Sequence, residues 1–298
     1  MKKKIKLISR KIIFRIYTVT KIKFLLGIIG VNVGRNVRIF KSEIKPLANI
    51  GDEVDIINSK LIGNFEINSR TEISGSYLSG RFTISNDCVV TNSKMTGNFF
   101  LGEKSFVNDL SGSGDISTGH NLRIIGGSVN LHGDIEIGNY TSINGPNTDI
   151  YTTIYKVKVG NFCSIARNVS IQEYNHKINR VSTYHMCANV FNRDRIEDIE
   201  SKGDIIIEND VWIGTHCVIL SGAHISNGAI IAANSVVTGF IPPYAIAAGT
   251  PAKVIKYRFS QEVIDELLII KWWNWNQEKL EKNYKFLSLN VYNNQLIK

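Results

Sequence analysis

Two histidines lie in the longest stretch of the chain that lacks a regular pattern. It begins IQEYNHKINRVSTYHM at residues 171–186 and contains His176 and, nine residues later, His185. A neutral imidazole can remove a proton from a hydroxyl group near neutral pH and return it later in the same reaction. Because the chain is regular on both sides, we expect a loop over 172–203 that leaves a rigid scaffold and carries the reactive groups.

Metal binding is the competing use of histidine. A catalytic zinc site needs three converging protein ligands and an open position. The loop supplies two histidines, and the four cysteines lie far apart without any C-x-x-C pair. We therefore expect no catalytic metal, no disulfide framework and reduced thiols. The other four histidines lie at scattered positions: His120, His132, His216 and His224.

The regular part of the chain repeats aliphatic residues every 17 positions, and then every six positions after the loop. Steps of six, five and six residues indicate three short strands per turn, each with one inward aliphatic side chain. The repeat runs through Val33, Ile50, Ile67, Ile84 and Leu101, through Ile39, Ile56, Ile73, Val90, Val107 and Ile124, through Ile44, Leu61, Leu78, Met95 and Val129, and later through Ile207, Ile213, Ile219, Ile225, Ile231 and Val237.

This pattern predicts an all-β protein, a parallel β-helix of about nine to ten triangular coils of about 17–18 residues each. Glycine and asparagine recur between the strands, where corners need backbone with positive φ. Such a scaffold does not reveal a function by itself, so a non-enzymatic β-helical scaffold stays open as an alternative. No face shows the threonine ladder that an ice-binding surface would need.

The positive charge of the chain is concentrated at its beginning. The net charge is +9, and residues 1–23 hold nine basic residues and no acidic one, so the rest of the chain is neutral. A nucleic-acid-binding surface on the body is therefore not expected. The basic residues are Lys2, Lys3, Lys4, Lys6, Arg10, Lys11, Arg15, Lys21 and Lys23.

The same segment predicts an amphipathic helix, because aliphatic residues at spacings of three and four form one stripe from Ile5 to Leu26. A basic helix of this kind can lie on an anionic membrane surface through residues 1–26, or it can cap the end of the scaffold. No stretch is long and apolar enough to span a membrane, and no signal-peptide cleavage motif follows.

The sequence resembles known enzymes in the second half of the chain. The run VWIGTHCVILSGAHISNGAIIAANSVVTG is similar to the hexapeptide-repeat acyltransferases, whose β-helix is left-handed. KVGNFCSIARNVSIQEYNH, STYH, GDIIIENDVWIG, AIIAANSVVTGFIPPYAIAAGTPAKVIKYRFS and LLIIKWWNW, in this order over roughly 133–283, resemble the xenobiotic acetyltransferase class. That class includes streptogramin and type B chloramphenicol acetyltransferases and many sugar O-acetyltransferases.

The resemblance implies that His176, in the N-H segment before S-T-Y, is the general base. His185 replaces a proline that is usual in the S-T-Y-P segment of the class. We interpret it as either a loop residue or an acceptor contact, and we place Asn175 and Tyr184 with it as candidate acceptor-binding residues.

The resemblance also implies acetyl-CoA as the acyl donor. Trp212, Ala232, Ala233 and Lys253 match positions near that cofactor in the class, and a lysine suits its phosphates. Each of these residues also has an interpretation without a donor. Lys253 is then an ordinary exposed lysine, Trp212 packs under the loop, and the two alanines allow tight packing.

These expectations give three segments: a basic amphipathic segment (1–30), the left-handed β-helix (31–256) and a C-terminal helical cap (257–298) that starts with Ser260 as N-cap. The class implies a homotrimer with active sites between subunits. The predicted function is acetyl transfer to a sugar hydroxyl in a surface polysaccharide or its precursor, in the cytoplasm or at the inner face of the cell membrane. The alternative is acetylation of an antibiotic.

Overall fold

The computed structural model describes residues 12–13, 30–44, 47–289 and 291 of the chain. The chain divides into two compact units, residues 1–133 and residues 134–298, which are described in turn. None of the described helices is long and apolar enough to cross a membrane.

The first unit is a parallel β-helix with a repeat of 17 residues. Ile39 pairs with Ile56, and Ile56 pairs with Ile73, so each coil lies in register on the coil before it. The predicted 17-residue period is thereby confirmed. Its described strands after Gly30 are Val31–Val33, Arg38–Phe40, Glu43–Ile44, Ala48–Ile50, Asp55–Ile57, Lys60–Leu61, Phe65–Ile67, Glu72–Ser74, Tyr77–Leu78, Phe82–Ile84, Val89–Thr91, Lys94–Leu101, Phe106–Asn108, Leu110–Thr118, Arg123–Ile125 and Val129–His132.

Stacked aliphatic side chains form the core of this unit. Ile56, Ile73 and Val90 are fully buried, and Leu61 and Leu78 are buried on the neighbouring face. Strand residues alternate in direction, so the residue on either side of each of these points outward. Burial of one such aliphatic side chain contributes about 1.5–3 kcal/mol, repeated at every coil and face.

The beginning of the chain differs from the predicted helix at the two residues that can be described. Ile12–Ile13 is a short strand that pairs antiparallel with Glu43–Ile44. A strand in this position covers the open edge of a sheet, which otherwise presents unpaired N–H and C=O groups. The other residues of the predicted amphipathic helix lie outside the described part of the chain.

The second unit is also a parallel β-helix, and it has three faces. The first face consists of Ile135–Ile137, Val157–Val159, Ile205–Ile207, His224–Ile225 and Phe240–Ile241. The second face consists of Ser142–Asn144, Ser164–Ile165, Trp212–Ile213, Ile230–Ile231 and Ala245–Ala248. The third face consists of Thr148–Tyr151, Ser170–Gln172, Val218–Leu220 and Val236–Val237.

The described strands form slightly more coils than the nine to ten expected from the sequence. The β-helix continues beyond Val237 although the six-residue spacing ends there. His224 pairs with Phe240, and Ile230 pairs with Ile246, so the last coil takes fewer residues than those before it. A shortened coil keeps the faces aligned while the aliphatic spacing in the sequence changes.

Helices follow the β-helix at the C-terminal end. The strand Lys253–Tyr257 turns back antiparallel to Ala245–Ala248, and helices then cover Gln261–Ile270, Gln277–Lys282 and Tyr284–Leu287. Ser260 is the N-cap residue of the first of these helices, although its side chain makes no capping hydrogen bond. A buried cluster of Tyr244, Val263, Ile264, Leu267 and Trp273 joins this helix to the coils.

One corner of the first unit is built from a column of glycines. Gly63, Gly80, Gly97 and Gly114 all have positive φ, between 87° and 110°. A Cβ atom added to Gly80 would lie 2.3 Å from the carbonyl oxygen of Gly97 in the next coil. These glycines therefore meet two demands at once, a left-handed backbone and a close approach between coils.

We expect Gly80→Ala to destabilise the protein, by about 1–3 kcal/mol from the backbone conformation alone and further through the clash with Gly97. Gly239→Ala is the matched control, because a Cβ atom there meets nothing within 4 Å and the backbone has no positive φ. Thermal and urea unfolding of the two variants would measure the difference. Equal stabilities would contradict this account of the corner.

Candidate active site

The excursion loop (residues 173–204) leaves the β-helix of the second unit at one edge. It follows Ser170–Gln172 on the third face and returns at Ile205–Ile207 on the first face. At the base of the loop, Asn175–His176 pairs antiparallel with Ile199–Glu200. The two ends of the loop are therefore tied together as a short ribbon, and His176 lies on that ribbon.

The ring of His176 has a defined tautomer. Its Nδ1 atom lies 2.6 Å from the carbonyl oxygen of Thr183, farther along the same loop. A carbonyl oxygen can only accept a hydrogen bond, so Nδ1 carries the proton and donates it. The lone pair of a neutral His176 is consequently on Nε2, and the residue is exposed. This is the arrangement that a general base requires.

His185 lies directly against His176. The two ring centroids are 4.1 Å apart, with an angle of 36° between the planes. Burial lowers the pKa of His185, and the positive charges of a protonated His176 and of Arg195 lower it further, against an opposing effect of Asp198. Its Nδ1 atom is buried and has no hydrogen-bond partner among the described residues. His185 is therefore held in its neutral form.

A buried carboxylate holds the middle of the loop. The side chain of Asp198 is only 1% exposed. It accepts hydrogen bonds from the N–H groups of Ala188 (2.8 Å) and Cys187 (3.0 Å) and forms an ion pair with Arg180 (3.3 Å). Burial disfavours the charged form, but these hydrogen bonds and the Arg180 charge outweigh it, so the pKa of Asp198 is lowered.

Two further polar contacts fix the base of the loop. The Asn175 amide donates to the Ser221 hydroxyl at 3.0 Å, which ties the residue before His176 to the next coil. Glu173 is fully buried and accepts from the N–H groups of Thr153 and Ile154, each at 2.9 Å. Sequence reasoning placed Asn175 among the acceptor-binding residues, whereas its amide is engaged with the scaffold. Tyr184 is 55% exposed.

The residues predicted to bind the donor lie elsewhere, on or beside the second face. Trp212 is 54% exposed and lies between Ser164 and Ile230 in the ladder of that face. Ala232 and Ala233 directly follow the strand Ile230–Ile231, and Ala232 donates its N–H to the carbonyl of Ala247. Lys253 is exposed on the antiparallel strand that closes the same face, opposite Ala248.

The structure thus groups the sequence-predicted site residues in two places. His176 and His185 are in contact, together with the carbonyl of Thr183. The second group lies on or beside the second face, and the excursion loop leaves from a different edge; it consists of Trp212, Ala232, Ala233 and Lys253. In the described part of the chain, no hydrogen bond or ring contact joins this group to the two histidines. Sequence reasoning missed Thr183 as a partner and Asp198 and Arg180 as anchors, since each acts within a loop that has no periodic signal.

Metal ligands do not converge in the described ranges, where no group of three or more His, Cys, Asp or Glu side chains is arranged to hold an ion.

Comparison with known proteins agrees with the hexapeptide pattern. Residues 204–239 match the family described as bacterial transferase hexapeptide (six repeats). A probable macrolide acetyltransferase from Lysinibacillus sphaericus is 43% identical over 141 residues, which cover 45% of this chain and 77% of the relative. The chain belongs to the hexapeptide-repeat acetyltransferases. The six-residue repeats of this family are those of the left-handed parallel β-helix, as predicted.

Other relatives of this hexapeptide-repeat acetyltransferase carry related names. A chloramphenicol acetyltransferase from Klebsiella aerogenes is 36% identical over 132 residues, covering 42% of this chain and 63% of the relative. Among solved structures, the polySia specific acetyltransferase NeuO is 18% identical, with a TM-score of 0.37, covering 86% of this chain and 97% of that chain. A hexapeptide-repeat acetyltransferase from Vibrio cholerae is 22% identical, with a TM-score of 0.28, covering 51% and 64%.

We expect Asp198→Asn to loosen the excursion loop of the hexapeptide-repeat acetyltransferase while the coils stay folded. The neutral amide removes the ion pair with Arg180 and weakens the two backbone hydrogen bonds. Limited proteolysis should cut the loop faster, and thermal unfolding of the coils should change little. Glu197→Gln is the control, since Glu197 is a neighbouring acid on the loop surface that pairs only with Arg193 in the described structure.

The pH dependence has a defined sign. Because the folded pKa of Asp198 is lowered, its contribution to loop order is present above the ordinary aspartate pKa of about 3.9 and is lost as the pH falls through the lower folded value. Wild-type loop protection should therefore decline only in strong acid. Protection that is unchanged in Asp198→Asn would contradict the role of this carboxylate.

Proposed function

We propose that this protein is an acetyl-CoA-dependent O-acetyltransferase that acetylates a sugar hydroxyl in a surface polysaccharide or its precursor. The observation that carries the chemistry is the hydrogen bond from Nδ1 of His176 to the carbonyl of Thr183, because it leaves Nε2 unprotonated on an exposed loop. Membership of the hexapeptide-repeat acetyltransferases supports acetyl transfer as the reaction, and His176 is the proposed general base.

His176 acts twice in the proposed reaction. Nε2 accepts the proton of the acceptor hydroxyl as the oxygen attacks the thioester carbonyl. When the tetrahedral intermediate collapses, the carbon–sulfur bond breaks and Nε2–H returns the proton to the leaving thiolate. The products are an acetyl ester and free coenzyme A, and the histidine is neutral again. This sequence uses no metal ion.

The second face is the proposed donor site. Its surface offers the exposed side chain of Trp212, the small residues Ala232 and Ala233, and the cation of Lys253 at one end. A pantetheine arm needs a narrow, extended surface, and phosphates need a cation or N–H groups. The residues present fit these demands: Lys253 would hold the phosphates, and Ala232 and Ala233 would leave room for the arm.

The separation of the two groups of residues supports a homotrimer with sites shared between subunits. His176 projects from the edge between the third and first faces, whereas Trp212 and Lys253 lie on the second face of the same unit. The two groups therefore start from different sides of the triangular coil. A neighbouring subunit related by a three-fold axis can present its second face to this edge.

The part of the chain that does not align with the antibiotic acetyltransferases supports a sugar acceptor. The alignments cover 45% of the chain for the macrolide relative and 42% for the chloramphenicol relative. The remainder includes nine basic residues within 1–23, which favour an anionic membrane surface by about 1 kcal/mol each near that surface. We therefore propose a cytoplasmic enzyme, peripheral at the inner face of the membrane where lipid-linked sugars are assembled.

An antibiotic acceptor is the second candidate, and the named relatives favour it. Both curated relatives described above carry names of antibiotic acetyltransferases, at 43% and 36% identity. The mechanism at His176 would be the same, because a drug hydroxyl is deprotonated in the same way.

We expect His176→Ala to reduce acetyl transfer by about 10²–10⁴-fold, with acetyl-CoA binding retained. Mass spectrometry of surface glycan should show acetyl groups in cells that express the wild type, and not in cells that express the variant. His132→Gln is the control, since His132 is a histidine of the first unit that contacts Ser113. Purified wild type should also be tested with macrolide, streptogramin and chloramphenicol acceptors.

Two results would contradict the proposal. Near-wild-type turnover in His176→Ala would remove the assigned base. Efficient acetylation of a drug, together with unchanged surface glycan, would replace the sugar acceptor with an antibiotic.

The shared site can be tested by mixing inactive subunits. His176→Ala and Lys253→Glu chains should each be inactive or weak alone, the second through loss of donor affinity. When they are unfolded and reassembled together at equal amounts, about a quarter of the sites in randomly mixed trimers combine an intact base with an intact donor face. Activity should reappear in that proportion. A site built within one subunit would show no recovery.

A further inference from the structure

We infer that His185 is a positioning residue for the transfer reaction: its neutral ring contacts the ring of His176 and stabilises the imidazolium that His176 becomes when it takes the proton of the acceptor. This inference rests on the proposed function, since it concerns the same base. It gives the residue that replaces the usual proline of the class a role distinct from acceptor binding.

The geometry places an aromatic ring where a cation will form. The ring centroids of His176 and His185 are 4.1 Å apart, within the distance of about 6 Å at which a cation gains from an aromatic face. The His185 backbone is fixed as well. Its carbonyl accepts a hydrogen bond at 2.9 Å from the N–H of Asn189, the last residue of the short helix Met186–Asn189. The backbone that carries the ring is therefore ordered, and the buried Nδ1 edge of the ring lies against the protein.

The surroundings of His185 keep the proton on His176. An imidazolium ion carries hydrogen on both ring nitrogens, but Nδ1 of His185 is buried and has no acceptor among the described residues. A buried donor without a partner is unfavourable, because it loses its hydrogen bond to water and gains no other. Burial and the nearby positive charges of His176 and Arg195 lower the pKa of His185, as described above.

The charged groups around the pair do not reverse this preference. Asp198 is the carboxylate that would favour a charged His185, but its oxygens already accept from Ala188, Cys187 and Arg180. Arg195 lies with Asp198 on the short helical turn Arg195–Asp198, and it interacts with the ring and the hydroxyl of Tyr174. Its positive charge opposes a second one at His185. A positive charge on His185 is therefore disfavoured while His176 is protonated.

His176 is consequently supported from two directions. The carbonyl of Thr183 accepts from Nδ1–H, and the ring of His185 contacts the ring of His176 at an angle of 36° between the planes. A hydrogen-bonded carbonyl and an aromatic face both gain when the imidazole becomes positive. Both interactions are stronger in the state with the proton on His176, so they lower the barrier and not merely the energy of the resting enzyme.

Three substitutions separate this role from the others. His185→Phe keeps an aromatic face that cannot be charged, and kcat should stay within about threefold of the wild type, as a cation–aromatic contact is preserved. His185→Ala removes the face, and kcat should fall about 2–30-fold, with the KM for the acceptor unchanged. His185→Lys places a permanent charge beside the base. It should lower kcat at least as much as alanine and move the acid limb of the pH–rate profile to lower pH.

The measurement is the pH dependence of kcat and kcat/KM for the full-length protein and the three variants, with thermal unfolding of each to confirm that it is folded. A rise in the acceptor KM of His185→Ala at unchanged kcat would make His185 an acceptor contact and overturn the inference. If kcat of His185→Phe is no higher than kcat of His185→Ala, the aromatic contact does not support the reaction. If the acid limb of the pH–rate profile of His185→Lys stays at the wild-type pH, the two residues are not coupled electrostatically.

His176→Ala measured in parallel distinguishes the two proposals. If that variant is inactive and the wild type is active, the proposed base stands, and the His185 series alone decides the positioning role. If His176→Ala transfers acetyl as well as the wild type, the proposed function fails, and the His185 inference fails with it.

Discussion

The whole structure depends on one constraint, the stacking of identical coils in register. A buried aliphatic residue such as Ile73 contacts the residue 17 positions before it and the residue 17 positions after it, and the same pairing repeats on every face. A shift of one residue would turn each inward side chain outward, because strand residues alternate in direction. The register is therefore fixed by the core, and outward-facing residues are free to vary without loss of the fold.

The excursion loop lies outside that constraint and has to supply its own order. Its base is closed by the ribbon between Asn175–His176 and Ile199–Glu200, and its middle is held by Asp198. A buried carboxylate is stable only when it is well hydrogen-bonded, and Asp198 has two N–H donors and Arg180. Asp198 therefore orders the middle of the loop, whereas buried aliphatic side chains order the coils.

The repeating coils, the position of the excursion loop and the start of the C-terminal helix at Ser260 were predictable from the sequence, whereas the contacts inside the loop were not. The 17-residue period identified Ile56, Ile73 and Val90 as core, because periodicity reports burial directly. The hydrogen bond from His176 to Thr183 could not be predicted, since its acceptor is a backbone atom that any residue could supply. The strand at Ile12–Ile13 shows a related limit: a helical stripe of aliphatic residues gives way locally to pairing with a sheet edge.

The coil shape explains why base and donor residues need not be close in one chain. A triangular coil presents three flat faces and encloses no cavity at its axis, which aliphatic side chains such as Ile213 and Ile231 fill. A pocket for a thioester and an alcohol must therefore be made outside the coil, by a loop over a face. The loop at one edge carries the proposed base, His176, with its tautomer already set. The second face carries the residues of the proposed donor site. Since the loop is anchored internally by Asp198, its exposed residues can change to suit another acceptor while the geometry at His176 is preserved.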